Sequence, residues 1–390
     1  MKELVINSTV QHTLLLFVPL VFAFILKLTK IRVWAMLGGV MSGILLGPAV
    51  LGAVAPDYWE GIFRGGVLQH DKLTQLQRQQ QSDLLAATTL GADETVLLQL
   101  KANHNYEQNE LKEQWELAQW DDQRTLRNYS ILLIVIILLS GRMKTKTRGT
   151  APPLTTLSVG VWAAIIPSGL ITLLVYWFLN EPLISSLALG ACVGAGPWTL
   201  AKWEEETANQ AQQDGALLMI RCGRVAWIVA STIAIYSTWQ VVGAMSLVWL
   251  CPLVLLPFIW VVPPMNWKWL EVFVDCAAIP SVMAASLVLI NPFEISQFWP
   301  IVFVLLLCAD ARWLGGIIGL GILGGNDKGN SMKLAIPLVD AGVSQMCMAA
   351  LLIGVGLLTP SFAVAALIGA LFLEYTVTTR MKFAESKDSL

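Results

Sequence analysis

The sequence has 390 residues, of which 56% are hydrophobic and only 13% are charged, and its net charge is −2. Soluble domains carry about one-quarter charged residues, so this composition and a mean hydropathy of +0.64 exclude an ordinary soluble protein and indicate a chain embedded in a lipid bilayer. The near-neutral charge also excludes a nucleic-acid partner, because binding to phosphates requires a positive surface.

Neither the cysteines nor the histidines predict a cofactor or a metal site. Each of the six cysteines stands alone within an apolar stretch, where a thiol behaves as a small hydrophobic group. His12, His70 and His104 are scattered along the chain, so they offer no ligand set for haem or zinc. We therefore expect no cofactor and interpret the histidines as ordinary solvated residues.

About eleven apolar runs approach the roughly 20 residues that a helix needs to cross a membrane. We predict an all-α polytopic membrane protein, because a helix satisfies its own backbone groups in lipid. The chain divides into residues 1–60 with the first two spans, a polar insertion at 61–128, and the remaining bundle at 129–390. The predicted spans are residues 11–27, 33–54, 129–140, 156–179, 183–201, 215–238, 241–262, 269–290, 298–323, 334–357 and 361–379.

The basic residues of the loops predict the orientation of the chain. Lys27, Lys30 and Arg32 follow the first span, and further lysines and arginines fall on the same predicted side. The short loops on the other side contain none. Because short cytoplasmic loops carry the positive excess, we expect an inner (plasma) membrane protein with its N-terminus outside and its C-terminus cytoplasmic.

Residues 61–128 form a polar, glutamine-rich stretch on the predicted outer side. Leucines recur at helical spacing before and after a break at Gly91, which predicts a long helical hairpin outside the membrane. Two such helices bury little area, so their apolar stripes need each other or a partner. The insertion is then either a solvated segment without function or a docking platform for a protein partner. Trp115 and Trp120 favour the platform, because tryptophan is enriched at binding hot spots.

Glycines recur at four-residue spacing in the second span, at Gly39, Gly43 and Gly47, which lets a neighbouring backbone approach one helix face. The run at residues 43–52 has the pattern Gly-x-Leu-Leu-Gly-Pro-x-x-Leu-Gly. This pattern resembles the second helix of the monovalent cation/proton antiporter family, of the sodium/hydrogen exchanger type. Further segments resemble family motifs in chain order, at Gly141-Arg142, at Pro167 with Gly169, and at residues 190–197.

The resemblance implies a fold of two inverted repeats, with two broken helices that cross near the membrane midplane. The first broken helix would be residues 183–201, interrupted at Ala195, Gly196 and Pro197. The resemblance also makes a homodimer one expected assembly, although the region 241–290 is about one hairpin shorter than in the family.

The second broken helix would be residues 334–357, where Pro337 and Gly342 bracket Asp340. Asp340 is one of several ionisable residues inside the predicted spans, and a charge at membrane depth costs about 2.5–3.5 kcal/mol. We therefore expect these residues to face the bundle interior with a partner, except where one near a helix end can reach the interface. The others are Asp275, Asp310, Arg312 and, near the inner end, Glu374.

The antiporter family exchanges ions through a carboxylate, often an Asp-Asp or Asn-Asp pair, in the helix after the first broken one. Here that helix lacks an acid in its apolar part, and Gly223 and Arg224 stand where the pair is expected. Arginine keeps its proton and repels a cation, while residues 195–196 lack the oxygen ligands that a hard cation prefers. We expect Arg224 to pair with Asp340 or Asp310, so that a tethered cation replaces a mobile one.

These features favour a family member that has lost ion exchange and serves as a membrane subunit, with the outer hairpin binding another protein. The alternative is a secondary transporter of protons or an anion, through a changed site that uses Arg224 and Asp340. The buried charges also have a simpler interpretation as internal salt bridges that hold the helices together. An enzyme is not predicted, because the sequence offers no paired catalytic acids, no Ser–His constellation and no metal-ligand spacing.

Overall fold

The computed structural model describes residues 8–31, 33–89, 91, 93–144, 153–197, 210–242, 267–295, 298–323, 332 and 334–385, and it is helical without strands over these residues. This confirms the all-α prediction. Two π-helical turns, Glu60–Arg64 and Val274–Ala278, and the 3-10 turn Ile336–Val339 interrupt the α-helices. The α-helices are α1 (Ser8–Leu28), α2 (Trp34–Leu46), α3 (Leu51–Val54), α4 (Pro56–Trp59), α5 (Val67–Thr89), α6 (Glu94–Asp122), α7 (Arg124–Lys144), α8 (Pro153–Phe178), α9 (Leu183–Gly194), α10 (Gln210–Val242), α11 (Lys268–Phe273), α12 (Ile279–Leu287), α13 (Phe298–Leu323), α14 (Gly342–Gly354) and α15 (Pro360–Glu385).

Within the described residues, nine helical segments are long and apolar enough to cross a membrane. The chain is therefore a multi-pass membrane protein. The predicted span at 183–201 corresponds to α9, which is apolar but only 12 residues long. The predicted span at 241–262 lies outside the described residues beyond position 242, so the count of about eleven stays a prediction.

The transmembrane helices pack in two groups. α8 packs along α9, α10 and α13, and α2 packs along α1 and α12. A Cβ added at Gly43 would lie 2.8 Å from the Leu287 Cβ, and one added at Gly39 would lie 2.5 Å from the Met283 Cβ. The backbone of α2 therefore approaches α12 closely, as the glycine spacing predicts. Gly47 lies just beyond this contact, as the C-cap of α2.

The chain leaves the helical conformation at both positions where the sequence predicts a broken helix, although residues 198–201 of the first lie outside the described residues, so its continuation stays a prediction. α9 ends at Gly194, and Ala195 to Pro197 continue without helical structure. The second interruption follows the 3-10 turn Ile336–Val339, after which the helix restarts as α14 at Gly342. α9 and α14 contact each other in the bundle core.

The polar insertion forms the predicted helical hairpin. α5 has 23 residues and α6 has 29, and they turn at Gly91, where a φ of +73° suits glycine. At 1.5 Å per residue, the two helices are roughly 35 and 45 Å long. The hairpin helices cover residues 67–122, and α6 leads into the transmembrane helix α7 after a single residue.

Polar side chains as well as leucines hold the hairpin together. The Gln80 amide nitrogen donates to the His104 carbonyl oxygen at 3.3 Å, and Gln108 donates to Gln80 Oε1 at 2.6 Å. Leu73 is buried, whereas Leu85, another of the leucines that precede the break at Gly91, is exposed. The leucine pattern therefore predicted the two helices but only part of their contact.

The two tryptophans predicted to bind a partner pack at the base of the hairpin against this chain's own arginines. The Arg64 guanidinium carbon lies 4.9 Å from the Trp115 ring centroid, and that of Arg127 lies 3.7 Å from the Trp120 ring centroid. Arg127 also donates a hydrogen bond to the Trp120 carbonyl oxygen. These cation–π contacts hold the hairpin on the end of the bundle. Contact of either ring with a partner protein stays a prediction.

Candidate functional site

At the first interruption, α10 passes the chain so closely that only glycine fits on both sides. A Cβ at Gly196 would lie 2.6 Å from the Gly223 carbonyl oxygen, and a Cβ at Gly223 would overlap the Pro197 carbonyl oxygen. In a closely packed interior, a larger side chain at either position would force the backbones apart. This contact therefore leaves no room at position 223 for the carboxylate that the antiporter resemblance leads one to expect there.

The second interruption brings Asp340 into the bundle core, where its side chain is only 6% exposed. The 3-10 turn ends at Val339, whose carbonyl oxygen accepts a hydrogen bond from the Ala341 amide at 2.8 Å. At the start of α14, a Cβ on Gly342 would lie 2.9 Å from the Cβ of Glu374 on α15. Asp340 and Glu374 thus lie beside a helix N-terminus, whose N–H groups favour negative charge.

One fully buried guanidinium, that of Arg312 on α13, joins both interruptions. Its Nε donates to the Val193 carbonyl oxygen at 2.6 Å, in the last turn of α9. Its Nη1 donates to the Val339 carbonyl oxygen at 3.1 Å, at the end of the 3-10 turn. Its Nη2 donates to Oε1 of Gln345 on α14 at 2.9 Å. Protein acceptors thus take the place of water around this charge.

The interrupted helices supply the negative partners that a buried cation needs. Carbonyl groups at a helix C-terminus lack an intrahelical donor and carry the negative end of the helix dipole. Arg312 donates to such a carbonyl at Val193, and at the second interruption it adds a second donor to the Val339 carbonyl, which already accepts from the Ala341 amide. Gln345 extends the network by donating from Nε2 to the Ala366 carbonyl oxygen of α15 at 3.1 Å. The network therefore connects α9, α13, α14 and α15 at the crossing, which is the region formed by the end of α9 with residues 195–197 and by residues 336–341 before α14.

This arrangement opposes the binding of a monovalent cation at the crossing. Two unit charges of like sign 4 Å apart repel by about 4 kcal/mol at an effective dielectric constant of 20, which weakens binding by about a thousandfold. The carbonyl oxygens of Val193 and Val339 already accept hydrogen bonds from Arg312. A positive charge that is part of the protein therefore occupies the space between residues 193 and 339.

The remaining predicted charges lie in different surroundings. Arg224 on α10 is only 4% exposed, and its pairing with Asp340 or Asp310 stays a prediction. Asp275 is half-buried in the π-helical turn before α12. Asp310 is exposed, so the expectation that it faces the bundle interior is wrong. Its position two residues before Arg312 turns it toward the opposite face of α13.

Sequence reasoning missed one side chain that completes this network, that of Gln345. Gln345 accepts from Arg312 and donates to α15, and α15 packs against Gly342 at Glu374, whose place near the inner end of its span the sequence predicted. An isolated glutamine in the first turns of the apolar helix α14, directly after a predicted break, is a signal that could have identified Gln345.

No protein-family model matches the sequence, and no curated protein matches it. The antiporter resemblance therefore stays an expectation based on the motifs quoted above. The contacts of Arg312 do not depend on that resemblance.

Replacing Arg312 by methionine removes the donors of all three of these hydrogen bonds while keeping an unbranched side chain. A buried acceptor that loses its donor costs about 1–3 kcal/mol, and the Val193 carbonyl and Gln345 Oε1 both lose theirs, so we expect the bundle to lose at least about 2 kcal/mol of stability. Thermal unfolding in detergent should show a fall in Tm of several degrees or more. Arg312→Lys should recover only part of the loss, because a single ammonium cannot reproduce the planar guanidinium.

Arg221→Met is the matched control for this change. Arg221 lies on α10 and is partly exposed, so its replacement removes a guanidinium without disturbing the Arg312 network. We expect its Tm to stay within about 2 °C of the unaltered protein, since substitutions away from buried networks have small effects. Equal stability of Arg312→Met and Arg221→Met would contradict the linking role of Arg312.

Proposed function

We propose that this chain is a non-exchanging membrane subunit, which has an antiporter-like bundle of inverted repeats and docks a protein partner through its outer hairpin. The main support for the proposal is that the buried Arg312 guanidinium donates hydrogen bonds to carbonyl oxygens at both helix interruptions. A cation exchanger must bind, release and rebind a mobile ion, and a protein-bound cation at that position prevents the first step.

Two independent contacts support the loss of exchange. Arg312 uses carbonyl oxygens at both helix interruptions, which are groups of the kind that coordinate ions in broken-helix transporters. The close approach of Gly223 to Pro197 leaves no space for a carboxylate at that position on α10. Both halves of a cation site, the ligands and the titratable acid, are therefore altered in different ways.

The alternative proposal is a secondary transporter of protons or an anion, and the burial of Asp340 and Arg224 is the observation that favours it. A buried carboxylate can carry a proton, and a buried arginine can attract an anion. The fixed contacts of Arg312 argue against this alternative, because alternating access requires the crossing to rearrange around its substrate.

The hairpin supports the docking half of the proposal. It is long, its helices pack on each other, and it stays attached to the bundle through the Arg64–Trp115 and Arg127–Trp120 contacts. Large apolar side chains on α6 are nevertheless exposed, and burial of such residues is a common source of binding energy. They include Leu98, Tyr106 and Leu117.

In this proposal the chain spans the inner (plasma) membrane with its N-terminus and hairpin outside and its C-terminus in the cytoplasm. The start of α1 is attached to the hairpin base, because Gln11 donates from Nε2 to the Ile62 carbonyl oxygen at 3.1 Å. Lys27 and Lys30 follow at the opposite end of α1, the end that the positive charges assign to the cytoplasm.

An ion-flux measurement in proteoliposomes tests the loss of exchange. With an imposed gradient of Na⁺, K⁺ or Li⁺ and a pH-sensitive dye inside the vesicles, we expect a signal equal to that of empty liposomes. A known exchanger reconstituted in parallel controls for leak and dye response. Robust proton-coupled flux that disappears in Asp340→Asn would overturn the proposal in favour of the alternative.

Site-specific photo-crosslinking in native membranes tests docking by the hairpin. A photoreactive phenylalanine analogue at Tyr106, which is 72% exposed on α6, should give one discrete adduct with a different protein. The same probe at Leu132, which is exposed on the transmembrane helix α7, is the matched control and should not give this adduct. The absence of any adduct at Tyr106, or an adduct of twice the 42.7 kDa chain mass, would contradict the docking proposal.

A further inference from the structure

A cavity of about 220 Å³ lies between α7, α12 and α14, at the end of the bundle that carries the hairpin. These three helices contact one another in pairs and form its walls. Toward the hairpin the lining includes Gln123, which is partly exposed, and Gly356, which is exposed. The floor is formed by Ile134, Ala285 and Leu351, which are at most 5% exposed. The cavity therefore runs from the base of the hairpin into the apolar interior of the bundle.

The lining changes from polar to apolar along the direction in which the bilayer does. One face of the helix that leads into α7 lines the cavity at three- and four-residue spacing, with Gln123, Arg127, Ser130 and Ile134. The residues from 131 to 139 are all apolar, so the polar end lies at the membrane interface. Gln123 and Ile134 are 11 residues apart, which is about 16 Å along the helix and roughly half the thickness of the hydrocarbon core.

A hydrocarbon chain suits the floor of this cavity better than water does. A buried water needs two to four polar partners, and the side chains at the floor are hydrocarbon. The Ser130 hydroxyl donates to the Leu126 carbonyl oxygen at 3.1 Å, and the Ser286 hydroxyl donates to the Val282 carbonyl oxygen at 2.8 Å, so both donors serve their own helices. An empty floor would leave its lining atoms without van der Waals contacts on one side.

Arg127 places a positive charge at the polar end of the cavity. Its side chain is only 6% exposed, and its guanidinium carbon lies 3.7 Å from the Trp120 ring centroid. A Cβ added at Gly354 would lie 3.7 Å from the Arg127 Cγ, so the stem of the side chain packs on the end of α14. These contacts fix the position of the guanidinium, and a ligand that binds there does not have to order it.

The nearest acid points away from the cavity. Asp121 attracts the charge of Arg127 and Arg124 repels it, and both are exposed. At 100° per residue, Asp121 lies about 120° around the helix from Arg127. On the opposite wall, the carbonyl groups of residues 351–353 accept hydrogen bonds from the amides of residues 355–357, which closes the end of α14 with its own backbone. The polar end of the cavity therefore favours an anion.

We propose that this cavity binds a phospholipid with a net negative headgroup, whose phosphate lies beside Arg127 and one of whose acyl chains reaches the floor. Charge complementarity selects the headgroup, and the apolar floor selects the chain. A protein helix is too wide for a cavity of this volume, because its diameter with side chains is about 10 Å. The site is separate from the crossing and from the exposed side chains of α6.

Photoreactive lipids test this site in the full chain. The purified protein is reconstituted in phosphatidylcholine vesicles with a trace of phosphatidylglycerol that carries a diazirine near the end of one acyl chain. After illumination and digestion, mass spectrometry should locate adducts at residues 131–134 and 350–351. The same diazirine chain on phosphatidylcholine should label these residues about fivefold less, which is the effect of one basic residue near an anionic lipid. Equal labelling by the two lipids would overturn the proposal.

Two neighbouring arginines provide matched variants for the headgroup. Arg127→Gln should abolish the preference for phosphatidylglycerol, whereas Arg124→Gln removes the same charge from an exposed position and should keep the preference within about twofold. Loss of the preference in both variants, or in neither, would contradict a specific contact with Arg127. If Arg127→Gln does not fold, the comparison of the two lipids on the unaltered chain still decides the question.

Two further variants test the acyl chain. Ala285→Leu and Ala350→Leu fill the floor from opposite walls, so the test does not depend on one substitution. Each should lower labelling at the floor by both lipids at least fivefold. Unchanged labelling in both variants would assign the adducts to lipid around the protein. Loss of labelling in excess glycerol 3-phosphate, which has no acyl chain, would assign the polar end to a soluble anion. Either of these two results would overturn the proposal.

Discussion

The hydrogen bonds from Arg312 to both interrupted helices are the interaction on which the rest of the bundle depends. A helix that stops inside a membrane leaves carbonyl groups that neither water nor lipid can satisfy. The Arg312 guanidinium donates to the Val193 carbonyl at the first interruption and to the Val339 carbonyl at the second, and these oxygens are the negative partners that its own burial requires. The helix ends and the buried arginine therefore stabilise each other. Free carbonyl groups inside the membrane would be costly without Arg312, and a buried guanidinium would be costly without those carbonyl groups.

The same arrangement decides what the crossing can do chemically. Val193 and Val339 already accept from a positive charge, and Gly223 meets the backbone of Pro197, so neither an added cation nor a larger side chain fits without rearrangement. Asp340 and Glu374 lie close to the N-terminus of α14. These contacts favour the proposal that the crossing is a fixed part of the bundle over the alternative that an ion passes through it.

The sequence predicted the features that depend on local pattern. Hydropathy predicted the apolar helices, the leucine spacing around Gly91 predicted the hairpin, and Pro337 with Gly342 predicted the break at Asp340. It could not predict which arginine occupies the crossing, because Arg312 and Val193 are 119 residues apart and their contact follows from the packing of whole helices. For the same reason the outward direction of Asp310 was predicted wrongly, since an acid in an apolar span gives no sign of which face the bundle covers.

The central claim is that the Arg312 guanidinium prevents a mobile cation from binding at the crossing. The most direct test is whether the folded protein binds an alkali cation at all. A ligand that binds only the folded state raises Tm, by an amount that corresponds to about 2.7 kcal/mol at a hundred times its Kd. Thermal unfolding in Na⁺, K⁺ or Li⁺ at constant ionic strength, with choline as the replacement ion, should give the same Tm to within about 1 °C. A saturable rise of several degrees with one of these ions, lost in Asp340→Asn, would show that the crossing binds a mobile cation after all.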